Sequence, residues 1–597
     1  MSGDARPPTE RGWARWLPAL LVPVALLPDL AAALPLRTYY FRDFTAAFYP
    51  LRVFVARELR EGRFPFWNPF IFEGTFQLPA LYPPDLLQAL WTSPAFASWL
   101  LTAHLPLAAL SAYWLARQLG AGREGAFFGG ALYALAGFTL STLNLFIFLQ
   151  ALALAPLVVG TLRRAAIAGG RWIVVAAGAL ARSLATLAVE FVGQALLLGL
   201  ALALVARPSR SGLVRVAAAT ALGLGLAGLP LAVTLGLLPE TARGAGFARD
   251  VGLGNAVHPA VLLQTLLPRL FGLPQAPAEA WWGGRFFSKG LPYFLSLYVG
   301  PLSLALAATG LRGLGRGAGL TVLVAGGLGL WYALGEFGGL APLVAHLPLA
   351  TAFRFPSKAL LLPTLALVVA ASFGVGRLRH EPRAWGTLGV VSSGAALVTL
   401  AVAALLATAP PNLVAWTGVT AGYWPHVVGV VVRDAAVVAV LAAACVALAL
   451  GVRTSRVSPG LAAAVVVALG VADLVRAGAG LNPQVGVSFF RPLPEIEALK
   501  LGELGEERTF SYGLDHSPAF REFLARGAPG LTLAGTFVSR QVLAPYSNVA
   551  DRVETPEATD LTSFVPRARE LAPRHYRPEA VGELIPWLRN ASVSRVV

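Results

Sequence analysis

Residues 41–74 read FRDFTAAFYPLRVFVARELREGRFPFWNPFIFEG, and they follow directly on the first long apolar segment of the chain, residues 17–34. Between Phe44 and Leu59, apolar residues recur every three or four positions, a spacing typical of an amphipathic helix. The same spacing places Arg52, Arg57, Glu58 and Arg60 largely away from the apolar face. A helix of this kind is expected to lie along a membrane interface. Prolines further along the stretch exclude a continuous helix. The stretch therefore predicts an interfacial helix followed by an irregular, aromatic-rich loop.

The chain as a whole is too apolar for a soluble protein. Of its 597 residues, 56% are hydrophobic and 13% are charged, whereas a soluble globular protein carries about 25% charged residues. Apolar runs near the length that crosses a bilayer recur along the sequence. They predict a mainly α-helical, polytopic transmembrane bundle. Its roughly thirteen spans are placed at 17–34, 96–116, 125–142, 146–162, 172–188, 191–206, 214–238, 293–311, 318–335, 358–376, 385–408, 433–452 and 459–476.

The arginines set the predicted orientation of this bundle. The formal net charge is +16, but arginine clusters recur at the ends of apolar runs, as membrane topology requires and nucleic-acid binding does not. Nucleic acid is therefore excluded as a partner, and the lipid bilayer is the expected surrounding. With the N-terminus in the cytoplasm, every inside loop carries at least two arginines. The long outside segments are then 35–95, 239–292, 336–357, 409–432 and the tail 477–597.

This threading predicts two domains. Residues 1–476 form the transmembrane module, and residues 477–597 form an extracytoplasmic soluble domain. Patterns at 493–513 and 578–597 favour helix and strand, so this second domain is expected to be small and of α/β type. The chain holds one cysteine, Cys445, which excludes an intramolecular disulfide and a cysteine-based metal site.

Short motifs follow one another in a distinctive order along nearly the whole chain. The first outside loop carries an aspartate, FYP, an amphipathic helix, GRFPFWNP, FEG and LYP. The later motifs are VEFVGQALLLGLAL (189–202), LPETARGAGF (238–247), HPAVLLQTLLPRLFG (258–272), YVGPLSLALAATGL (298–311), FRFPSKALLLPTLAL (353–367) and NASVSRVV (590–597). This order resembles the YfhO family of bacterial membrane proteins, which is assigned to the glycosyltransferase C (GT-C) superfamily of lipid-sugar-dependent enzymes.

The resemblance implies a GT-C-like fold and an integral-membrane glycosyltransferase. Such an enzyme moves a sugar, with inversion, from a polyprenyl-phosphate-linked donor to a cell-envelope polymer, lipid or protein on the outer face of the bacterial cytoplasmic membrane. Asp43 is then the candidate general base, because superfamily relatives place an acidic residue early in this loop. The alternative role for Asp43 is to cap the helix that follows it.

Cations at the outside membrane edge are the candidate ligands of the donor phosphate. They are Arg42, Arg269, Arg354 and Lys358. Arg354 and Lys358 are one helical turn apart, and a guanidinium fork beside a lysine suits a phosphate. Arg243 and other cations of the same outside loop as Arg269 share this candidacy. Anchoring in the lipid headgroups is the alternative for these side chains.

Polar and aromatic residues at the same edge are candidate contacts for the sugar or the acceptor. They are Tyr49, Trp67, Asn68, Glu73, Glu190, Gln194 and Glu240. The aromatic residues also suit an interfacial belt. Glu190 has a competing structural role as the ion-pair partner of Arg182. The dispersed histidines form no metal-binding motif, so no metal or cofactor is assigned, although some superfamily members use a divalent cation.

Two other classes of function stay open. A transporter or flippase of a lipid-linked saccharide would use the same basic edges and aromatic residues. It would also need polar residues in the middle of the membrane, and this chain instead has large outside segments. A non-catalytic envelope-assembly protein, with the tail as its partner-binding module, is the third possibility.

Overall fold

The computed structural model describes residues 12–76, 82–207, 209–272, 281–347, 350–491, 507–510, 533–541, 543, 546–556 and 581–596. Most of the C-terminal domain predicted from the sequence, including nearly all of the pattern at 493–513, lies outside these residues. The described chain is mainly helical, as predicted.

The longer helices, together with one short helix of the tail, are labelled in chain order. They are α1 Leu17–Leu26, α2 Tyr49–Arg60, α3 Pro94–Thr102, α4 His104–Gln118, α5 Arg123–Leu135, α6 Phe146–Ala168, α7 Arg171–Leu184, α8 Val189–Ala206, α9 Arg210–Leu226, α10 Gly228–Leu237, α11 Pro301–Gly310, α12 Ala318–Ala333, α13 Leu361–His380, α14 Pro382–Ala407, α15 Trp424–Arg453, α16 Pro459–Gly478, α17 Leu533–Gln541, α18 Ser547–Asp551 and α19 Val581–Asn590. Two of them begin at a Ser-Pro pair, where the serine side chain (Ser93 or Ser458) accepts a hydrogen bond from the first turn.

Nine helices of the described chain are long and apolar enough to cross a membrane. The prediction of a multi-pass helical membrane protein is thereby confirmed, with fewer full spans than predicted. The span predicted at 214–238 is the bent pair of α9 and α10, whose axes differ by 70°. Pro230 explains the break between them, because it has no N–H to donate a helical hydrogen bond to the carbonyl of Leu226. The spans predicted at 172–188 and 318–335 are the shorter helices α7 and α12.

The span predicted at 293–311 differs most from the structure. Only Pro301–Gly310 is helical, because Gly300 has a φ of +81° and ends any helix before it. The preceding backbone pairs instead with neighbouring segments: the Gly137 N–H donates to the Tyr298 carbonyl (2.7 Å), and the Gly300 N–H donates to the Thr265 carbonyl (3.0 Å). Non-helical backbone is tolerated at this depth because protein surrounds and satisfies it.

Polar contacts join the loops that the arginine rule places on the same side. On the predicted inside, side chains link successive loops: Arg163 donates to the Gln118 carbonyl, Arg215 donates to the Ala166 carbonyl, and Arg379 pairs with Glu124. On the predicted outside, the corresponding contacts are Asn144 with Asn482 and Glu190 with Lys358. The grouping of the loops therefore agrees with the threading, and which group faces the cytoplasm stays a prediction.

Three two-stranded sheets involve the outside segments. β1 Thr38–Tyr39 pairs antiparallel with β4 Gln484–Val485, and β2 Trp67–Asn68 pairs antiparallel with β3 Thr75–Phe76. β5 Arg508–Phe510 pairs parallel with β6 Val593–Val596. The β1–β4 pair ties the start of the tail to the first outside loop, some 450 residues earlier in the chain.

Helices α11 and α13 cross with their backbones in contact. A Cβ on Gly374 would overlap the carbonyl oxygen of Leu306, and a Cβ on Gly310 would overlap that of Ala370. Small residues at such crossings let transmembrane helices approach closely. This contact holds α11, the helix that follows the extended segment 293–300, against α13.

We expect Gly374→Ala to lower the apparent melting temperature of the detergent-purified protein, because overpacking of this kind costs about 1–3 kcal/mol. Gly376→Ala is the matched control on the same helix, since nothing lies within 4 Å of the added Cβ. Its melting temperature should stay unchanged or rise slightly, because alanine favours helix. Equal responses of the two variants would contradict the crossing.

Candidate active site

A cavity of about 400 Å³ lies among the outside segments. Its walls are formed by α2, the start of α6, the start of α8, α10 and the segment 352–358. Apolar side chains, chiefly phenylalanine and leucine, make up most of the lining. The charged residues Asp43, Arg52, Glu190, Arg243, Arg354 and Lys358 also line it. The volume and the mixture suit a ligand with a large apolar part and a few polar groups.

Asp43 faces this cavity with its carboxylate unengaged. The side chain makes no hydrogen bond to the start of the following helix, so the capping role is not seen. Nor does Asp43 form a hydrogen bond or ion pair with any residue in the described part of the chain. Burial raises the pKa of Asp43 above its ordinary value, while the charges of Arg42 and Arg354 oppose the shift. Asp43 is thus positioned to accept a hydrogen bond or a proton from a bound ligand.

Arg243, Arg354 and Lys358 form the cationic wall of the cavity, and Glu190 lies among them. Its Oε1 is 2.7 Å from Lys358 Nζ and 3.3 Å from Arg243 Nη1, and all three side chains are largely buried. The predicted alternative partner, Arg182, is exposed and does not share this contact. The ion pair joins three segments that are distant in sequence: the start of α8, the second outside loop and the turn before α13.

Gln194, one turn along α8, supports this pair. Its Nε2 donates to the carbonyl of Lys358 (3.1 Å) and to that of Glu190 (3.0 Å). The Lys358 ammonium also lies over the ring of Phe148, 5.0 Å from its centroid. Lys358 is therefore held by protein on several sides, and lipid snorkelling does not describe its position.

Arg354 completes the cationic wall near Asp43. Its guanidinium lies over the rings of Phe247 (5.3 Å) and Phe355 (4.9 Å), and planar stacking of this kind holds the group in a fixed orientation. Arg42 is turned to the extended segment, because its Nη1 donates to the Tyr293 carbonyl (2.9 Å). Arg42 therefore anchors this loop as well as carrying charge beside Asp43.

Three non-glycine residues around the cavity have positive φ: Arg42 (+49°), Leu187 (+63°) and Phe355 (+70°). Each directly precedes or lies close to a charged lining residue. A backbone strained in this way costs about 1–3 kcal/mol per residue and is concentrated at functional sites. The strain supports a functional role for this cavity.

Arg52 is a cavity residue that the helical pattern misplaced. The spacing puts it away from the apolar face of α2, yet Arg52 is buried and its Nη2 is 2.6 Å from Asp85 Oδ2. Gln150 donates to the other oxygen of Asp85 (2.7 Å). The guanidinium also lies over the rings of Phe48 and Phe146. Burial with paired partners explains why a charge can stand among apolar residues here.

Arg269 is not brought to the cavity. Its Nε is 4.0 Å from Asp434 Oδ2, and Arg476 Nη1 is 2.9 Å from the other oxygen of that carboxylate. Arg269 therefore belongs to a separate ionic group between the second outside loop, α15 and α16. Of these two candidate cations of the second outside loop, Arg243 lines the cavity and Arg269 does not.

The remaining candidate sugar contacts also lie elsewhere. Tyr49 packs against Phe490, with ring centroids 5.0 Å apart. Trp67, Asn68 and Glu73 belong to the β2–β3 hairpin, and Glu240 is exposed. None of the five lines the cavity as the structure describes it. Their predicted place at the outside membrane edge suggested these residues, but the fold does not bring them to the cavity wall.

The described residues contain no group of three or more His, Cys, Asp or Glu side chains able to hold a metal ion.

The lining residues that the sequence did not single out include two tyrosines. Tyr293 was hidden inside a predicted span, and Tyr546 belongs to the tail. An aromatic at the start of an apolar run was the only signal for Tyr293, and the sequence carries none for Tyr546.

Comparisons with known proteins add little to this site. No protein-family model and no curated protein matches the chain. Among solved structures, the chain is similar to ArnT from Cupriavidus metallidurans bound to undecaprenyl phosphate, at 13% identity and a TM-score of 0.49. The match covers 96% of this chain and 91% of that one. A similarity at this level carries no argument about function. Membership of the YfhO family stays a prediction.

We expect Glu190→Gln to destabilise the protein, because it removes the buried carboxylate that both Lys358 and Arg243 contact. Breaking a buried pair typically costs about 3–5 kcal/mol. The double variant Glu190→Gln/Lys358→Met should recover part of the loss in apparent melting temperature. Glu240→Gln, at an exposed carboxylate, is the control and should melt like the wild type. Additive losses in the double variant would contradict the pair.

Proposed function

We propose that this protein is an integral-membrane glycosyltransferase. It moves a sugar from a polyprenyl-phosphate-linked donor to a cell-envelope acceptor on the outer face of the cytoplasmic membrane, with Asp43 as the general base. One observation carries the proposal: a single cavity joins an unengaged carboxylate, a cationic wall and a long apolar surface.

The carboxylate supplies the base. In an inverting transfer, the acceptor hydroxyl attacks the sugar carbon, its proton passes to the base, and the bond from that carbon to the phosphate oxygen breaks. Asp43 has no hydrogen-bond partner among the described residues, so its oxygens are available to an acceptor hydroxyl. General base catalysis of this kind contributes roughly 10²–10⁴-fold to the rate.

The cationic wall supplies charge for the leaving phosphate. Arg354, Arg243 and Lys358 all line the cavity, and Glu190 offsets one of these three positive charges. Departure of the lipid phosphate adds negative charge in the transition state, and fixed cations stabilise that charge most strongly in a poorly hydrated site. The same cations also bind the phosphate of the ground state.

The apolar surface supplies a route for a lipid. The cavity is lined by Leu231 and Leu235 of α10 and by Leu238, the residue that follows this helix. The same helix also presents an apolar side chain away from the cavity, Leu229, which is 53% exposed and does not line the cavity. A helix with apolar groups toward both the cavity and its surroundings lets an isoprenoid chain lie partly in the bilayer while its phosphate reaches the cations.

Replacement of Asp43 by Asn is expected to lower transfer by roughly 10²–10⁴-fold, because the amide cannot take the proton. Donor binding should persist, since the cations are unchanged. The assay uses purified protein, radiolabelled polyprenyl-phosphate sugars of several kinds and bacterial envelope membranes as the acceptor. Asp250→Asn, at an exposed carboxylate of the second outside loop, is the matched control and should turn over normally.

The same assay across pH gives an independent readout. Because burial raises the pKa of Asp43, its basic form is lost at a higher pH than for an ordinary aspartate as the solution becomes more acidic. Transfer by the wild type should therefore fall on this acid limb, and the residual transfer of Asp43→Asn should not follow it. Normal turnover by Asp43→Asn would refute Asp43 as the base, whereas absence of transfer by the wild type would favour a transporter or an assembly protein.

Arg354→Gln is expected to weaken binding of the donor by about 10–100-fold. This is the effect of losing a hydrogen bond between charged groups, here the guanidinium and the phosphate, which contributes about 1.5–3 kcal/mol. Binding can be measured by calorimetry with the detergent-solubilised donor. Arg249→Gln removes a charge of the same outside region that is 67% exposed and paired only loosely with Glu336. It should bind donor like the wild type, whereas equal effects of both substitutions would indicate a non-specific charge effect.

A further inference from the structure

The tail of the chain contributes to the cavity. Tyr546 lines it together with α2, although nearly five hundred residues separate this tyrosine from Tyr49, where α2 begins. Tyr546 is the one lining residue from the tail among those that the structure describes. It is almost fully buried, with 2% of its surface exposed, so it is part of the packed wall.

The tail is fixed firmly to the first outside loop. Asn548 Nδ2 donates to the Phe70 carbonyl (2.7 Å), and the N–H of Thr555 donates to the same carbonyl (3.0 Å). Arg57 on α2 donates to the Ala550 carbonyl (3.2 Å). Hydrogen bonds from both sides of α18 therefore hold this segment in one register against the loop.

An apolar cluster seals the same contact. Tyr546 and Val549 pack with Ala47, Phe54 and Phe70, and the flanking residues Leu51 and Val55 of α2 contact this cluster. Ala47, Leu51 and Val55 also line the cavity, whereas Val549 does not. The apolar face of α2 is thus shared between the cavity and the tail.

We propose that Tyr546 is a ligand-contacting residue of this cavity, with its aromatic ring forming part of the surface against which an isoprenoid phosphate lies. The inference rests on the proposed function and extends it, because it makes the tail a part of the binding site. The ring continues the apolar stripe of α2 without interruption, and aromatic rings provide large contact areas at low cost in conformational entropy. The tail then acts on the substrate directly, in addition to any role in folding.

Farnesyl phosphate is a suitable probe, because it carries the phosphate and a short isoprenoid chain. Its affinity is measured by calorimetry on the full-length protein in detergent, for the wild type, Tyr546→Ala, Tyr546→Phe and Val549→Ala. We expect Tyr546→Ala to bind about tenfold or more weakly, as for truncation of a well-packed aromatic contact. Tyr546→Phe keeps the ring and should bind like the wild type.

Val549→Ala separates contact from folding. Val549 is fully buried in the same cluster but does not line the cavity, so this variant loosens the tail without removing a ligand contact. Its melting temperature should fall while its affinity for farnesyl phosphate stays unchanged. Equal weakening by the two alanine variants, or an unchanged affinity in Tyr546→Ala, would overturn the proposal, as would loss of affinity in Tyr546→Phe. Failure of the wild type to bind farnesyl phosphate would instead contradict the lipid-phosphate ligand of the proposed function.

Discussion

The buried contact of Glu190 with Lys358 and Arg243 is the constraint on which the cavity depends. Taking charges out of water is costly, and only close opposite charges and hydrogen bonds recover that cost. Here the recovery requires three segments to meet: the first turn of α8, the second outside loop and the turn before α13. Once they meet, Arg354 and Asp43 line the same cavity.

The extended segment before α11 is the second element that positions the site. A helix running through residues 293–300 would use its carbonyls internally, whereas the extended chain offers the Tyr293 carbonyl to Arg42. Its own backbone is satisfied by Gly137 and Thr265. The departure from a regular span thus links the loop that carries Asp43 to the interior of the bundle.

Much of this arrangement could be predicted from the sequence, for identifiable reasons. Glu190 stands out as a carboxylate in an apolar run. Arg354 and Lys358 stand out as cations one helical turn apart at a predicted membrane edge, and Asp43 was a candidate because of the family resemblance. The arginine pattern also grouped the loops as the contacts do. Partners could not be predicted, because Glu190 pairs with residues 53 and 168 positions away rather than with a near neighbour in sequence.

Other misplacements have equally physical causes. The periodicity of α2 assigned Arg52 to a polar face, but the pattern cannot show that Asp85 and two aromatic rings cover it. A run of apolar residues at 293–311 met the length criterion for a span, yet two residues, Gly300 and Pro301, decided the local backbone. Arg269 carries the same charge as the cavity cations and is predicted at the same membrane edge. Only the fold reveals its carboxylate partner, Asp434.

The contribution of Tyr546 to the wall has a consequence for biosynthesis. A ribosome makes Asp43 early and Tyr546 only after the membrane-spanning helices. Domains form as their sequence emerges, so the helical bundle can assemble while its cavity is still open on one side. A chain that terminated before residue 546 would reach the membrane without this part of the cavity wall.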